Sequence, residues 1–252
     1  MPVLWIVIPF YNEAPTLEPC VARVIAAALP AGWARAIVFV DDHSRDQQAG
    51  QFGDAGALAA RLRARGQAVE LLRHERNLGK GVAVRTGFDR VLEMSEEYDA
   101  VIIQDADMEY DPADYPALLE PIIAGEADAV FGTRWGEHFR PKGLWRRMHA
   151  LGNRMLTRFS NLMTGYRVAD MECCYKLMTI PALRRIRPML SEDRFGVEPQ
   201  MAAALARTGA RLAQRPVRYD PREIESGKKI RLRDAFRALY VMARERIKRT
   251  NA

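Results

Sequence analysis

Short apolar runs, each closed by a polar turn and followed by a helical pattern, restrict what the first half of this chain can become. VLWIVIP at 3–9, AIVFVDD at 36–42, AVELLRH at 68–74, DAVIIQD at 99–105 and DAVFGTR at 128–134 are apolar almost throughout, as parallel strands covered on both faces are. Helical spacing runs between them near 15–29, 55–65, 79–94 and 112–124, the last opening with Asp111 at the N-cap and Pro112 at the first helical position. This alternation predicts an α/β fold, a doubly wound and mostly parallel sheet with helices on both faces. Ligands on such sheets bind at the carboxyl ends of strands, where PFYNE, DDHSRD, QDADME and GTRW fall. The second half is less regular: a helix over 144–164, a short strand in CYKLMTI, a helix over 198–208, a strand in RLAQRPVRY and a closing helix over 231–248. No repeat or linker divides the chain, so one domain over 1–222 with a C-terminal extension over 223–252 is the simplest organisation.

The run VIIQDADMEYDP, residues 101–112, ends in carboxylates at every second position: Asp105, Asp107, Glu109 and Asp111. Like charges so close repel unless a cation sits among them. In an extended chain alternate side chains share a face, so Asp105, Asp107 and Glu109 are expected to project to one side, while Asp111 caps the next helix. Such oxygen ligands suit Mg²⁺ or Mn²⁺ shared with a substrate's phosphates. Asp41 and Asp42 close the second strand, where a carboxylate can accept from base N–H or ribose hydroxyl groups. NLGKGVAVRTG places Gly79 and Gly81 at a helix start, but Val84 stands where a dinucleotide fingerprint requires glycine and the turn follows the third strand. A hydride-transfer enzyme is therefore disfavoured.

With VIPFYNE, VDDHSRD, NLGKGVAVRTGF, QDADMEYDP, FGTR, DMECCYKLM, FGVEPQ and GKKIRLRDAFRAL in order, the chain resembles the inverting family-two glycosyltransferases of GT-A fold, and within them the dolichol-phosphate mannose synthase-like branch. The resemblance implies a Rossmann-like central sheet. It implies a nucleoside pocket at Pro9, Tyr11, Glu13 and Asp41, with Asp42 and Lys80 nearby. Asp105 would face the donor beside Ala106, and Asp107 and Glu109 would hold the metal, Mg²⁺ or Mn²⁺, under the diphosphate. Arg134, Arg222 and Lys228 or Lys229 would contact donor or acceptor phosphates. The sequence departs from the branch at His43, where glycine is usual, and at Cys173-Cys174, which replaces a common Ser-Gly pair near the expected acceptor site. His43 is read as a turn or packing residue and is assigned no catalytic role.

A hydroxyl acceptor needs a base, whereas a phosphate arrives ionised. Asp170, Glu172 and Glu198 are the candidate bases, each equally able to serve as a cap or a salt-bridge partner. The net charge of +6 is unevenly spread: residues 138–167 and 228–252 each carry +7, which leaves −8 for the rest. LWRRMHALGNRMLTRFSNLMTG and the last helical segment are basic and amphipathic, as helices lying on an anionic membrane are. Aromatic residues are not interleaved with the basic runs, so nucleic acid is not an expected partner. The three cysteines form no disulfide framework or zinc pattern, no run approaches a membrane span, and MPVLWIVIPFYNE has no basic leader. The expected protein is a peripheral enzyme on the cytoplasmic face of the cell membrane. It would move a mannose- or glucose-type hexose from a GDP- or UDP-sugar to a lipid acceptor, with polyprenyl phosphate favoured. The alternatives are transfer to a lipid hydroxyl and an idle nucleotide-sugar-binding module; a nucleotidyltransferase is disfavoured because no Gly-rich, Arg-containing loop follows the first strand.

Overall fold

The computed structural model describes residues 1–47, 51, 53–135, 144–221 and 232–250. Its strands are β1 (Val3–Phe10), β2 (Ala34–Asp41), β3 (Ala68–Arg73), β4 (Ala100–Ile103), β5 (Ala129–Thr133), β6 (Lys176–Thr179) and β7 (Leu212–Pro216). They form one seven-stranded sheet in the order β3-β2-β1-β4-β6-β5-β7. All neighbouring pairs are parallel except those of β6, which runs antiparallel to both β4 and β5. The start of β6 therefore lies beside the ends of its neighbours, with Lys176 opposite Phe131 and Leu177 opposite Ile102.

Helices α1 (Ala14–Ala26), α2 (Ala55–Ala64), α3 (Lys80–Met94) and α4 (Tyr115–Ile123) follow the strands of the first half much as the periodicity predicts. The segment 112–124 opens as a 3₁₀ turn at Pro112–Asp114, with the Asp111 carboxylate accepting from Ala113 N at 3.0 Å, before α4 begins. Gly87 lets α3 approach the sheet, since a Cβ there would lie 2.4 Å from Val7 Cγ1. Ile6, Val38, Ile102, Val130 and Leu177 are wholly enclosed in the resulting core. Burying a side chain of this kind stabilises the fold by about 1.5–3 kcal/mol.

In the second half α5 (Leu144–Thr164), α7 (Val197–Arg207) and α8 (Leu232–Thr250) pack together. The junction proposed near 222 lies outside the described residues, but α8 itself is fastened to the domain. The enclosed Glu192 carboxylate accepts from Arg237 Nε at 2.9 Å and Arg244 Nη1 at 2.7 Å. Glu245 likewise accepts from Gln200 of α7 at 3.2 Å.

Two features differ from the sequence expectation. Helix α6 (Ile180–Ile186) follows β6 directly, its start capped by Thr179, where periodicity showed only the end of a strand. More important for the site, β4 ends at Ile103, so the alternating carboxylates stand beyond the extended chain. Gln104 turns inward, and its Oε1 accepts from Tyr115 OH at 2.7 Å and Tyr175 OH at 2.6 Å. Met108 then adopts a left-handed backbone at φ 68°. The period-two argument for one shared carboxylate face does not apply to such a turn.

Candidate active site

The exits of β1 and β2 are bound into one rim. Asn12 N donates to Ser44 Oγ at 3.0 Å, and Asn12 Oδ1 accepts from Arg45 N at 2.8 Å. Pro9 lies at the end of β1, Tyr11 follows it, and Glu13 leads into α1, where its carboxylate accepts from Thr16 Oγ1 at 3.1 Å. Asp41 ends β2, is buried, and accepts from Ser44 N at 2.8 Å. His43 between them has φ 67°, the left-handed conformation that glycine adopts at no steric cost, which explains why the motif usually carries glycine there.

Asp42 has a different duty from Asp41. Its Oδ1 faces His74 Nδ1 at 2.7 Å and Leu78 N at 2.8 Å, and its Oδ2 accepts from Gly79 N at 2.8 Å. The carboxylate thus caps the turn into α3, and Gly79 at φ 102° supplies the backbone that allows it. His74, which has no motif to reveal it, links Asp42 to Thr86 Oγ1 at 3.0 Å.

That capped turn delivers Lys80 to the acidic loop after β4. Lys80 Nζ lies 2.9 Å from the Asp105 carboxylate and 3.1 Å from Glu198 Oε1 of α7. Burial opposes its charge, yet Asp105, Cys174 and Glu198 outweigh that cost and hold the ammonium well above its ordinary pKa. Ala106 is enclosed beside Asp105. Asp107 Oδ1 accepts from Glu109 N at 3.1 Å, and Glu109 interacts through its side chain with Tyr219, whose hydroxyl burial pushes upward. A backbone bridge between Tyr110 and Tyr219 secures this side of the loop.

Opposite stands the start of β6. Lys176 is wholly buried, its Nζ donating to Cys173 O at 2.6 Å and pairing with Glu198 Oε2, and it lies 5.1 Å from the Phe131 ring centroid. Arg134, at the exit of β5, is matched to Asp170 through Nε–Oδ2 and Nη2–Oδ1 contacts of 2.7 Å each. Its guanidinium also lies 5.2 Å from the Tyr219 ring centroid. Burial opposes the Arg134 charge as well, but Tyr110 and Asp170 raise its pKa well above the ordinary value. Glu172 has a buried Oε1 with no hydrogen-bond partner among the described residues, and burial together with Glu198 pushes its carboxyl up to about 7. Burial also raises the Cys173 thiol, to about 12, so this cysteine is an inert packing group.

The structure thus joins Lys80, Asp105, Glu198 and Lys176 into one chain of charges and sets Arg134 with Asp170 at the same end of the sheet. Arg222, Lys228 and Lys229 lie outside the described residues. Sequence reasoning missed Lys176, Gln104 and His74. Lys176 could have been found: a lysine within the apolar run CCYKLM must have a buried carboxylate partner.

A Rossmann-like sheet with an acidic loop beyond its central strand and an antiparallel strand beside it defines the GT-A class of nucleotide-sugar-dependent folds. Residues 5–187 match Glycosyl transferase family 2, and the chain belongs to that family. It is similar to glycosyltransferase AglJ of Haloferax volcanii, 30% identical over 217 residues, covering 86% of this chain and 63% of that protein. It is also similar to undecaprenyl-phosphate 4-deoxy-4-formamido-L-arabinose transferase of Pseudomonas aeruginosa, 33% identical over 168 residues, covering 67% of this chain and 44% of the relative. The chain therefore spans less than two thirds of either relative. The fold matches glucosyl-3-phosphoglycerate synthase from Mycobacterium tuberculosis, solved with Mn²⁺, uridine diphosphate and glucosyl-3-phosphoglycerate. That match has a TM-score of 0.65 at 18% identity and covers 97% of this chain and 80% of the other.

Proposed function

We propose that this protein is a metal-dependent inverting hexosyltransferase that uses a nucleotide diphosphate sugar and a membrane-lipid acceptor, with polyprenyl phosphate as the acceptor. The observation that carries the reading is the Lys80 bridge between Asp105, beside the carboxylate loop, and Glu198, on the side built by α7 and β6. It brings a donor-type loop and a second group of paired charges to one end of the sheet. The name of the Pseudomonas relative, an undecaprenyl-phosphate transferase, supports a lipid phosphate as acceptor.

Asp107 and Glu109 fit a hard divalent cation, because Mg²⁺ and Mn²⁺ in nucleotide sites take one or two carboxylates and complete their coordination with substrate phosphates and water. When bound, such an ion would stabilise charge on the departing diphosphate. The chain's own residues do the rest. Pro9, Tyr11, Glu13 and Asp41 line the nucleoside rim, Asp105 is oriented toward the sugar by Lys80, and Arg134 supplies positive charge for phosphate oxygens. Alignment of the acceptor opposite the leaving group would account for much of the rate. Asp170 is enclosed against Arg134 and both Glu198 oxygens lie within ion-pair distance of lysines, which supports structural roles for these two candidate bases. A nucleophile that arrives ionised requires none.

The membrane part of the reading rests on α5. Met148, Leu151, Met155 and Leu162, at helical spacing, are all exposed on a helix that also carries Arg154 and Arg158. Among the described residues no helix is long and apolar enough to cross a membrane; the proposed attachment, to the cytoplasmic face, is by the exposed surface of α5.

Thermal-shift measurements with GDP-, UDP- and dTDP-sugars and Mn²⁺ test the donor, since a ligand that binds only the native state raises Tm. One nucleotide is expected to raise Tm in an Mn²⁺-dependent manner and to support transfer to undecaprenyl phosphate. No shift with any nucleotide sugar would overturn the reading.

A further inference from the structure

Among the described residues, the charged groups around the start of β6 pair with one carboxyl left over. Lys80, Lys176 and Arg134 are matched by Asp105, Glu198 and Asp170, each contact falling within ion-pair distance. Glu172 is a fourth acid in this company. The groups acting on it come from every side: Glu198 from α7, Lys176 from β6, Arg134 from the exit of β5 and Asp170 from its own loop. The residue retains partial solvent exposure, yet its Oε1 is buried without a hydrogen-bond partner among the described residues. Ionisation would place charge on an oxygen that has no hydrogen-bond donor among the described residues, a cost that Lys176 and Arg134 offset only in part, whereas a neutral carboxylic acid is tolerated. A neutral acid can also do what a carboxylate cannot, which is donate a hydrogen bond to an anion.

We propose that Glu172 is a specificity-determining residue that, as a carboxylic acid, donates a hydrogen bond to a phosphate oxygen of the acceptor. This rests on the lipid-phosphate reading above and deepens it. Paired cations alone do not distinguish one anion from another, whereas an acid O–H favours a ligand rich in acceptor oxygens. Ionisation of Glu172 would then replace attraction by repulsion, so acceptor binding would be strong below neutrality and weaken above it.

The test compares wild type with Glu172→Gln and Glu172→Ala in transfer to undecaprenyl phosphate from pH 6 to 9, with nucleotide-sugar binding followed separately by thermal shift. In wild type, KM for the acceptor is expected to rise about tenfold or more between pH 6.5 and 8.5, the worth of a hydrogen bond to a charged group, with kcat changing less. Glutamine keeps a neutral donor and cannot ionise, so Glu172→Gln should hold that KM nearly level across the range. The phosphate's own titration, with its second pKa near 6, affects both proteins equally and drops out of the comparison. Glu172→Ala should raise KM at every pH; if it does not fold, the glutamine variant alone decides. A wild-type KM that stays level, or a glutamine variant whose KM follows the wild type, would overturn the proposal while leaving donor and acceptor assignments intact. Loss of kcat by about 100-fold in Glu172→Gln with nucleotide binding preserved would also overturn it, because that is the signature of a general base acting on a hydroxyl acceptor. Nucleotide binding without transfer to any lipid phosphate would defeat the acceptor reading itself and this proposal with it.

Discussion

Arg134 and Asp170 meet fork to fork, with two side-chain contacts of 2.7 Å and a third hydrogen bond of 3.1 Å from Arg134 N to the same carboxylate. Asp170 is wholly enclosed, so removing its charge strands a buried guanidinium. Breaking a buried pair from one side costs about 3–5 kcal/mol. Asp170→Asn is expected to lower the denaturation midpoint accordingly and, because Asp170 positions Arg134, to weaken transfer by the protein that remains folded. Wild-type stability combined with abolished transfer would instead make Asp170 a participant in the reaction.

Asp107→Asn removes a formal charge from the acidic loop while keeping nearly the same shape. Under the proposed metal site, transfer should fall by orders of magnitude with folding largely intact. Chelation by EDTA should silence the wild-type enzyme to a similar degree. Near-normal turnover in EDTA would contradict the metal assignment.

The carboxyl of Glu172, raised to about 7 from an ordinary value of 4.5, makes stability depend on pH. The folded state holds a proton that the unfolded chain has already released, so this contribution is complete below about 4.5 and is lost as pH rises through about 7. Glu172→Gln should therefore be more stable than wild type at pH 8 and about equal to it at pH 4. Each kcal/mol so recovered raises Tm by about 2–4 °C in a chain of this size. Identical melting curves at pH 8 would show that the acid is not strained by ionisation.

The strands were legible because burial on both faces writes itself as continuous apolar runs, and the cap Asp111–Pro112 because its chemistry is local. What was hidden depends on long-range pairing. Nothing in CYKLMTI indicates that β6 enters the sheet in reverse, and IPALRRI is too short for helical periodicity to separate α6 from the strand before it. The site shows the same division. Asp105, Glu198 and Arg134 could be named from motifs, but that Asp42 caps the turn into α3 requires knowing where Leu78 and Gly79 fold back. The alternation of Asp105, Asp107 and Glu109 suggested a strand that ends two residues earlier, because Gln104 finds two buried tyrosine hydroxyls.

Membrane attachment should be electrostatic in part. Binding to anionic liposomes is expected to weaken with salt and on replacing Arg146, Arg147, Arg154 and Arg158 with Gln, at about 1 kcal/mol for each basic residue near the surface. Met155→Asp and Leu162→Asp, both at exposed positions, should weaken it further without affecting nucleotide binding. Equal affinity for neutral and anionic vesicles would remove the electrostatic component.

The reversal of β6 has a consequence for how such proteins can diversify. The residues of the proposed nucleoside rim and the acidic loop belong to the first 110 positions, at the exits of parallel strands, whereas Asp170, Glu172 and Lys176 reach the same end of the sheet from the entrance of a strand encoded later. Two halves of the proposed site are thus carried on separate stretches of the gene and meet through the pairing of β4 with β6, the bond from Tyr175 to Gln104 and the bridges from Lys80 to Glu198 and from Tyr110 to Tyr219. On the proposed division of roles, a lineage that preserves these contacts can recombine or redraw the later stretch, and so change what receives the sugar, without rebuilding the part that holds its carrier.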